Sequence, residues 1–196
     1  MHSLIETLKE SSQDFEFYPT TDEIIRRVAC DIRDHYMVSR NCFSILDIGA
    51  GNGKVLSGIS KFFGVKPECY AIEKSPILKE LIDKNFYVIG TDFHEQSLLD
   101  KNISITFCNP PYSDFNTWAT RIIRESASQL IYLVIPERWK GHVDIMGALD
   151  YRQAEYKVLG EYDFLQADRQ ARAKVNLICV ELSGEKDDAF DRFFKS

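Results

Sequence analysis

An asparagine, two prolines and a tyrosine directly follow an apolar run in the stretch ITFCNPPYSDF, at residues 105–115. Proline fixes its own backbone torsion, so Pro110 and Pro111 hold neighbouring acceptors in one orientation. Those acceptors are the Asn109 side-chain oxygen and the Pro110 carbonyl. A delocalised amine that donates its N–H groups to two such oxygens gains a lone pair able to attack. The motif predicts a site that activates a flat amine, with Tyr112 stacking on the substrate.

The plainer interpretation of this motif is a proline-rich turn in which Tyr112 is an ordinary packing residue. A double proline at the exit of a buried strand favours the chemical interpretation, because the neighbouring strands also end in polar residues suited to binding.

A second motif, LDIGAGNGK, places Gly49, Gly51 and Gly53 between a predicted strand and a predicted helix. Glycines at such a turn let the backbone approach a ligand that faces the free amides of the next helix. The spacing is neither that of a dinucleotide fingerprint nor that of a phosphate-binding Walker loop. Asp47, at the end of the strand, suits a cationic amino group better than a pyrophosphate. A glycine turn that serves only packing is the alternative.

Two more acids follow the next two predicted strands. Glu73 ends the second strand in YAIEK, and Asp92 follows the third in GTDF. The carboxyl ends of parallel strands meet at one edge of a sheet, where a carboxylate can accept both hydroxyls of a ribose. Each acid alone is typical of a solvated loop, whereas acids at three successive strand ends, counting Asp47, predict a shared binding site.

The elements that must position these residues alternate between strand and helix five times, and two strands follow. The predicted strands are FSILDIG, CYAIEK, FYVIG, ISITFC, QLIYLVIP, AEYKVLGEY and KVNLICVEL. The pattern predicts an α/β fold with a mostly parallel seven-stranded sheet, helices on both faces and a C-terminal antiparallel hairpin at its edge.

The predicted helices cover about residues 20–36, 52–63, 75–85, 115–127 and 142–149. Thr20 and Glu23 have the spacing of a capping box at the start of the first of these. Ser75 and Pro76 suit a helix start, and Asn85 is a plausible stop for the same helix.

The length of 196 residues, with 44% hydrophobic and 28% charged residues, suits one globular domain. We expect a domain over residues 1–183 with an N-terminal helical segment over 1–43, a charged tail over 184–196 and no separate target-recognition domain. No apolar run approaches a membrane span and no signal-peptide pattern is present, so we expect a cytoplasmic protein without a membrane partner. The five cysteines have no metal-ligand spacing, so we expect no metal.

The net charge of −6 argues against binding nucleic acid by bulk electrostatics. Two local basic clusters are still present: Arg169, Arg172 and Lys174 form one, and Arg138 and Lys140 form the other. Both are also consistent with ordinary solvated surface.

These motifs resemble those of a known family. The D-x-G-x-G-x-G loop and the strand-end acids resemble the class I S-adenosylmethionine-dependent methyltransferases, and N-P-P-Y resembles the signature of amino-methyltransferases. The segment FYPT at residues 17–20 is similar to an F-Y-T-P-like segment of DNA adenine methyltransferases, with its last two residues exchanged. NPPYSDFNTW and VIPERW further resemble small phage and prophage adenine-N6 DNA methyltransferases.

The resemblance implies a Rossmann-like class I methyltransferase fold and S-adenosylmethionine as cofactor. It implies that Asp92 contacts the adenine amine of the cofactor and that Phe93 covers its ring. The implied cofactor-binding residues are Tyr18, Pro19, Thr20, Asp47, Gly49, Gly51, Gly53, Glu73, Asp92, Phe93 and Asn109. The implied catalytic residues are Asn109, Pro110, Pro111 and Tyr112.

The implied activity is methylation of the N6 amine of adenine in DNA. Three alternatives remain: adenine in RNA, the glutamine N5 of a protein, and a catalytically silent binding protein of the same fold. The protein substrate is disfavoured, because only about 43 residues precede the first strand, and the silent protein is disfavoured because Asp47, Glu73, Asp92 and Asn109 are all intact.

Only 84 residues follow Tyr112, which leaves little room for a recognition domain. We therefore expect Arg138, Trp139 and Lys140, with His142, to contact the nucleic acid, although Trp139 also suits an ordinary half-buried aromatic. A homodimer or a partner subunit is a further expected source of target recognition.

Overall fold

Seven strands form one mixed sheet in the computed structural model, which describes residues 4–36, 43–64, 67–164 and 171–182. The strands are β1 Ser44–Ile48, β2 Glu68–Ile72, β3 Tyr87–Gly90, β4 Ile105–Cys108, β5 Leu130–Pro136, β6 Glu155–Phe164 and β7 Ala171–Glu181. Their order across the sheet is β3-β2-β1-β4-β5-β7-β6. The first five strands pair in parallel, and β7 pairs antiparallel with both β5 and β6. The predicted fold class is confirmed.

The order of the strands reverses between β1 and β4. The chain moves outward from β1 to β2 and β3 and then returns to place β4 on the other side of β1. Asp47 pairs with Phe107 and Ile48 with Cys108 across these two strands. The glycine loop after β1 and the N-P-P-Y turn after β4 therefore leave the sheet side by side, where open α/β sheets bind ligands.

Helices cover both faces of the sheet. They are α1 Leu4–Glu10, α2 Asp22–Tyr36, α3 Lys54–Phe63, α4 Pro76–Glu80, α5 Phe115–Glu125 and α6 Val143–Tyr151. Residues of α2 and α3 join one buried apolar cluster, and residues of α5 and α6 join the other. All seven residues of β5 are buried, which explains its unbroken hydrophobicity.

A buried polar cluster fixes α2 against the antiparallel side of the sheet. The Tyr132 hydroxyl donates to Asp31 Oδ2 at 2.9 Å. Lys157 Nζ lies 3.7 Å from Asp31 Oδ1 and 2.9 Å from Glu181 Oε1. His35 Nε2 lies 3.1 Å from the same Glu181 oxygen. Asp31 is only 5% exposed, so these partners are what compensate its burial.

Two details of the predicted helices are wrong. Thr21, not Thr20, caps α2, because its Oγ1 accepts from the Ile24 amide at 3.4 Å. The helix predicted over residues 75–85 ends at Glu80. Tightening bonds from the amides of Leu81 and Ile82 to carbonyls three residues back replace the helical pattern there.

Some predictions fall outside the described residues. These are the charged tail over 184–196, Arg169 and the side chain of Arg172. The division into a domain over 1–183 and a tail stays a prediction. Among the described residues, no helix is long and apolar enough to cross a membrane.

We expect Tyr132→Phe to lower the free energy of unfolding by about 2 kcal/mol, because it removes the hydroxyl that donates to the buried Asp31 carboxylate. Chemical denaturation of both proteins measures this difference. Tyr151→Phe is the control, since Tyr151 is 77% exposed and should tolerate the same change. Equal losses in the two variants would contradict the role given to the Tyr132 hydroxyl.

Candidate functional site

A cavity of about 340 Å³ opens at the carboxyl edge of the parallel strands. Residues at the carboxyl ends of four strands line it: Asp47, Glu73, Asp92 and Asn109. Its remaining wall includes the segment Asp14–Thr20, which precedes α2 and which we call the strap. The predicted acids, the Asn109 motif and the predicted FYPT segment therefore share one cavity.

The glycine loop has a backbone that side chains disfavour. Gly49, Gly51 and Gly53 have φ angles of 77°, 57° and 76°. A Cβ at Gly51 would lie 2.4 Å from the ring of Phe17 in the strap, so glycine is also required there for space. The amides of Gly49 and Ala50 donate to the Ile72 carbonyl at the end of β2, which ties the loop to the sheet.

Glu73 holds the glycine loop in place. Its Oε2 accepts from the Gly51 amide at 2.6 Å, and its Oε1 accepts from the Ser75 amide at 2.7 Å. Burial raises the pKa of Glu73, and these backbone hydrogen bonds oppose that rise. A hydrogen bond from the Lys74 amide lowers the pKa of Glu73 as well, so the carboxylate, with about four acceptor sites, keeps one for a ligand.

Asp47 is a buried carboxyl group with few partners to compensate its burial. It is 2% exposed, and its Oδ2 has no hydrogen-bond partner among the described residues. Burial raises the pKa of Asp47 well above its ordinary value, and the charge of Glu73 raises it further. A ligand cation beside Asp47 would offset both effects.

Asp92 is more engaged than the sequence indicates. Its Oδ1 accepts from the His94 amide at 2.9 Å, and its Oδ2 pairs with Lys74 Nζ at 2.9 Å. The hydrogen bond to Lys74 is the main cause of a lowered pKa at Asp92. Its predicted contact with an adenine amine therefore has to compete with Lys74.

Phe93 and Trp118 form an aromatic wall of the cavity. Phe93 is buried, and its ring centroid lies 4.4 Å from that of Trp118. A Cβ at Gly49 would lie 3.6 Å from the Trp118 ring, so the indole is packed against the glycine loop. Trp118 is a site residue that was not predicted; its spacing three residues after Phe115, which puts both on one face of α5, was the available signal.

The Asn109 side chain has one well-defined orientation. Its Nδ2 donates to the Tyr18 carbonyl at 3.0 Å and to Thr20 Oγ1 at 3.3 Å. A backbone carbonyl can only accept, so the nitrogen end of the amide must face the strap. Asn109 Oδ1 is left without a hydrogen-bond partner among the residues that the structure describes. Asn109 lines the cavity, and this buried oxygen is the acceptor that the motif predicts.

The rest of the motif has mixed positions. Pro110 is buried and Pro111 lines the cavity. Tyr112 packs against the apolar cluster of α2 and α3 and stacks on Tyr18, with ring centroids 5.4 Å apart and planes 3° from parallel. Burial raises the pKa of Tyr112. The stacking of Tyr112 on a substrate stays a prediction.

Trp139 is not a surface residue, so its predicted contact with nucleic acid is wrong. It is 0% exposed and its Nε1 donates to Asn176 Oδ1 at 3.0 Å, within the core between the sheet and α6. Arg138 and Lys140 are exposed beside it, in the turn that follows β5. Arg138 Cζ lies 4.9 Å from the centre of the Phe115 ring, so its guanidinium group contacts the first residue of α5.

Within the described ranges, no group of three or more histidine, cysteine, aspartate or glutamate side chains has the arrangement of a metal site. Glu73 accepts from backbone amides, and Asp92 pairs with Lys74. Asp47 keeps one oxygen without a hydrogen-bond partner among the described residues.

The chain matches no protein-family model and no curated protein. It is similar to several solved methyltransferase structures. One is Mtq2 of E. cuniculi, from a complex with Trm112 responsible for the methylation of the eRF1 translation termination factor: TM-score 0.60, 14% identity, with 85% of this chain and 98% of that chain covered. The 23S rRNA methyltransferase ErmE gives a TM-score of 0.66 at 14% identity, with 91% and 76% covered.

A third structure is a class I S-adenosylmethionine-dependent methyltransferase from Listeria monocytogenes, with a TM-score of 0.64 at 15% identity and 92% and 67% of the two chains covered. At these identities the likeness concerns the fold. The chain has the Rossmann-like fold of class I methyltransferases.

We expect Asp47→Asn to raise the free energy of unfolding of the ligand-free protein by about 1–2 kcal/mol near pH 8. A raised pKa in the folded state means that the folded protein binds more protons than the unfolded chain. The parent therefore loses stability as the pH rises from the ordinary carboxyl range to that raised pKa, and the asparagine variant does not. Denaturation at several pH values measures both curves.

The exposed Asp100→Asn serves as the control for the loss of one negative charge. A stability difference between parent and Asp47→Asn that stays constant with pH would show that Asp47 is not held at a raised pKa.

Proposed function

We propose that this protein is an S-adenosylmethionine-dependent amino-methyltransferase that methylates the N6 amine of adenine in DNA. The observation that carries the proposal is the orientation of Asn109. Its amide nitrogen is held by the strap, and its buried Oδ1, like the buried Asp47 Oδ2, has no hydrogen-bond partner among the described residues. Both residues line the cavity. One orphaned acceptor suits an amine to be activated, and the other suits a cationic amino group.

The cavity fits the proposed cofactor. Asp47 would accept from its α-amino group, which supplies the missing hydrogen bond and the missing counter-charge. Glu73 keeps an acceptor site for a ribose hydroxyl, and Phe93 and Trp118 line the cavity with aromatic surface that suits an adenine ring. When bound, S-adenosylmethionine supplies a methyl group on a positively charged sulfur, which a neutral amine can attack.

The residues of the chain would act on the acceptor amine. Asn109 Oδ1 would accept a hydrogen bond from one N–H of the acceptor amine. This draws the amine nitrogen toward a pyramidal form with a localised lone pair. That lone pair forms the new N–C bond while the C–S bond breaks with its electrons on sulfur, and the amine proton leaves to water. Pro110 and Pro111 restrict the backbone so that the acceptor does not reorient during the reaction.

The choice of adenine in DNA follows from the N-P-P-Y motif and the FYPT segment together. The strap contributes acids to the cavity mouth, among them Asp14 and Glu16, so a phosphate backbone would not lie across it. The exposed Arg138 and Lys140, after β5, are the better contacts for phosphates. Adenine in RNA is the second candidate, since ErmE, similar in fold, is a 23S rRNA methyltransferase.

Target recognition would come from a second copy of the chain or from a partner subunit. The similarity in fold to the E. cuniculi Mtq2 structure, which was solved in complex with Trm112, supports this proposal.

We expect the purified protein, given S-adenosylmethionine, to form N6-methyladenine in DNA, and Asn109→Ala to lower kcat by at least about a hundredfold. DNA, RNA and protein extract are supplied in parallel, and each is digested and analysed for methylated adenine or glutamine by mass spectrometry. The exposed Asn102→Ala is the matched control. Parent-like activity of Asn109→Ala would remove its catalytic role, and methylated glutamine alone would remove the nucleic acid substrate.

We expect Glu73→Ala to weaken binding of S-adenosylmethionine by about tenfold or more, which corresponds to about 1.4 kcal/mol. The substitution removes the ribose acceptor and releases the Gly51 amide that shapes the loop. Isothermal titration calorimetry measures the dissociation constant, and the exposed Glu80→Ala on α4 is the control. An unchanged constant would mean that the cofactor does not occupy this cavity.

A further inference from the structure

The strap has a strained backbone. Three of the four described non-glycine residues with positive φ lie in or just before it: Ser12 at 57°, Phe15 at 40° and Glu16 at 56°. Such conformations cost free energy and persist only where surrounding contacts hold them. The contacts of the strap therefore indicate what this conformation accomplishes.

Tyr18 and Glu16 make four contacts with the turn that contains the N-P-P-Y motif. Tyr18 offers its carbonyl to Asn109 Nδ2 and its ring to Tyr112. Glu16 accepts from the Ser113 amide at 3.2 Å and from the Ser113 hydroxyl through its other oxygen. The strap thus holds both ends of the turn, at residues 109 and 113.

Thr20 adds a second acceptor for Asn109 and does not cap α2. The helix cap that the sequence assigns to Thr20 is provided by Thr21. Thr20 itself is 5% exposed, and its Oγ1 lies 3.3 Å from Asn109 Nδ2. The buried hydroxyl therefore accepts a hydrogen bond from the Asn109 amide.

The two acceptors on the strap match the two N–H bonds of the Asn109 amide. Rotating the amide by half a turn would place Oδ1 against the Tyr18 carbonyl, oxygen to oxygen, and would leave that carbonyl without its donor. The Thr20 hydroxyl accepts from Nδ2 in the observed orientation and so adds to the contacts that fix the amide. The strap contacts thus decide which end of the amide is left over for the cavity.

We propose that the strap is a working part of the methyl-acceptor site. Thr20 is a positioning residue that, with the Tyr18 carbonyl, orients Asn109, and Glu16 is a positioning residue that anchors the turn at Ser113. The inference rests on the proposed amino-methyltransferase function. It differs from the sequence-based assignment, in which Thr20 contacts the cofactor.

The first test compares Thr20→Val, Thr20→Ser and Thr21→Val in steady-state kinetics on a DNA oligonucleotide that the parent methylates. Thr20→Val should lower kcat about fivefold, the equivalent of one neutral hydrogen bond, with the dissociation constant for S-adenosylmethionine within twofold of the parent. Thr20→Ser should restore kcat. Thr21→Val should lower thermal stability through the lost helix cap and leave kcat unchanged.

A second pair of variants tests the other anchor at a position where folding is not at stake. Glu16→Ala should lower kcat/KM for the oligonucleotide about tenfold while cofactor affinity stays within twofold. Glu80→Ala, which removes one exposed negative charge elsewhere, should match the parent.

A third measurement needs no activity. In ¹⁵N-labelled protein, the side-chain amide resonances of Asn109 are identified by their absence in Asn109→Ala. One of the two proton resonances should move upfield in Thr20→Val and neither in Thr21→Val, because Thr20, unlike Thr21, accepts from this amide.

The outcomes separate the two proposals. Absence of methyl transfer by the parent protein would overturn the proposed function, and the resonance shift would still decide whether Thr20 orients Asn109. An active parent with parent-like kcat in Thr20→Val, or a Thr20→Val variant whose cofactor affinity falls while kcat holds, would overturn the positioning role.

Discussion

The parallel pairing of β1 with β4 is the constraint on which the site depends. It joins two strands that are separated by two strand–helix units in the sequence, and it sets the end of one directly beside the end of the other. Because side chains alternate along a strand, a slip of one residue in this register would turn Asp47 away from the cavity. The buried aliphatic residues of both strands, on both faces, hold the register. The core of the protein therefore has a direct role in aligning its polar rim.

The three acids at the carboxyl edge of the sheet differ in their hydrogen-bond partners. Glu73 is buried but accepts from two backbone amides, and Asp92 is paired with Lys74. Asp47 is buried without such a partner for its Oδ2, next to a second negative group. Burying an unpaired carboxyl group costs stability. A ligand that places a cation beside Asp47 would offset that cost. Glu73 shapes the loop, and Asp47 is the group left for the ligand.

The sequence predicts the fold and most of the site because those features repeat or involve rare residue types. Strands and helices follow from apolar periodicity, and three glycines with positive φ follow from the loop pattern. Features that depend on contacts distant in sequence are not accessible in this way. The burial of Trp139 requires Asn176, far along the chain, as a partner for its indole.

The helix cap shows the same limit at shorter range. Thr20 and Thr21 are equivalent by composition, and only the position of Asn109 relative to the strap decides which of them caps α2.

In the proposed function, the strap lines the cofactor cavity and also holds residues of the acceptor site. A cofactor that favours the observed contacts of Glu16 and Thr20 with the turn would, by thermodynamic reciprocity, raise the affinity for the methyl acceptor, and the acceptor would raise the affinity for the cofactor by the same factor. Release of the spent cofactor would then weaken the binding of the methylated product.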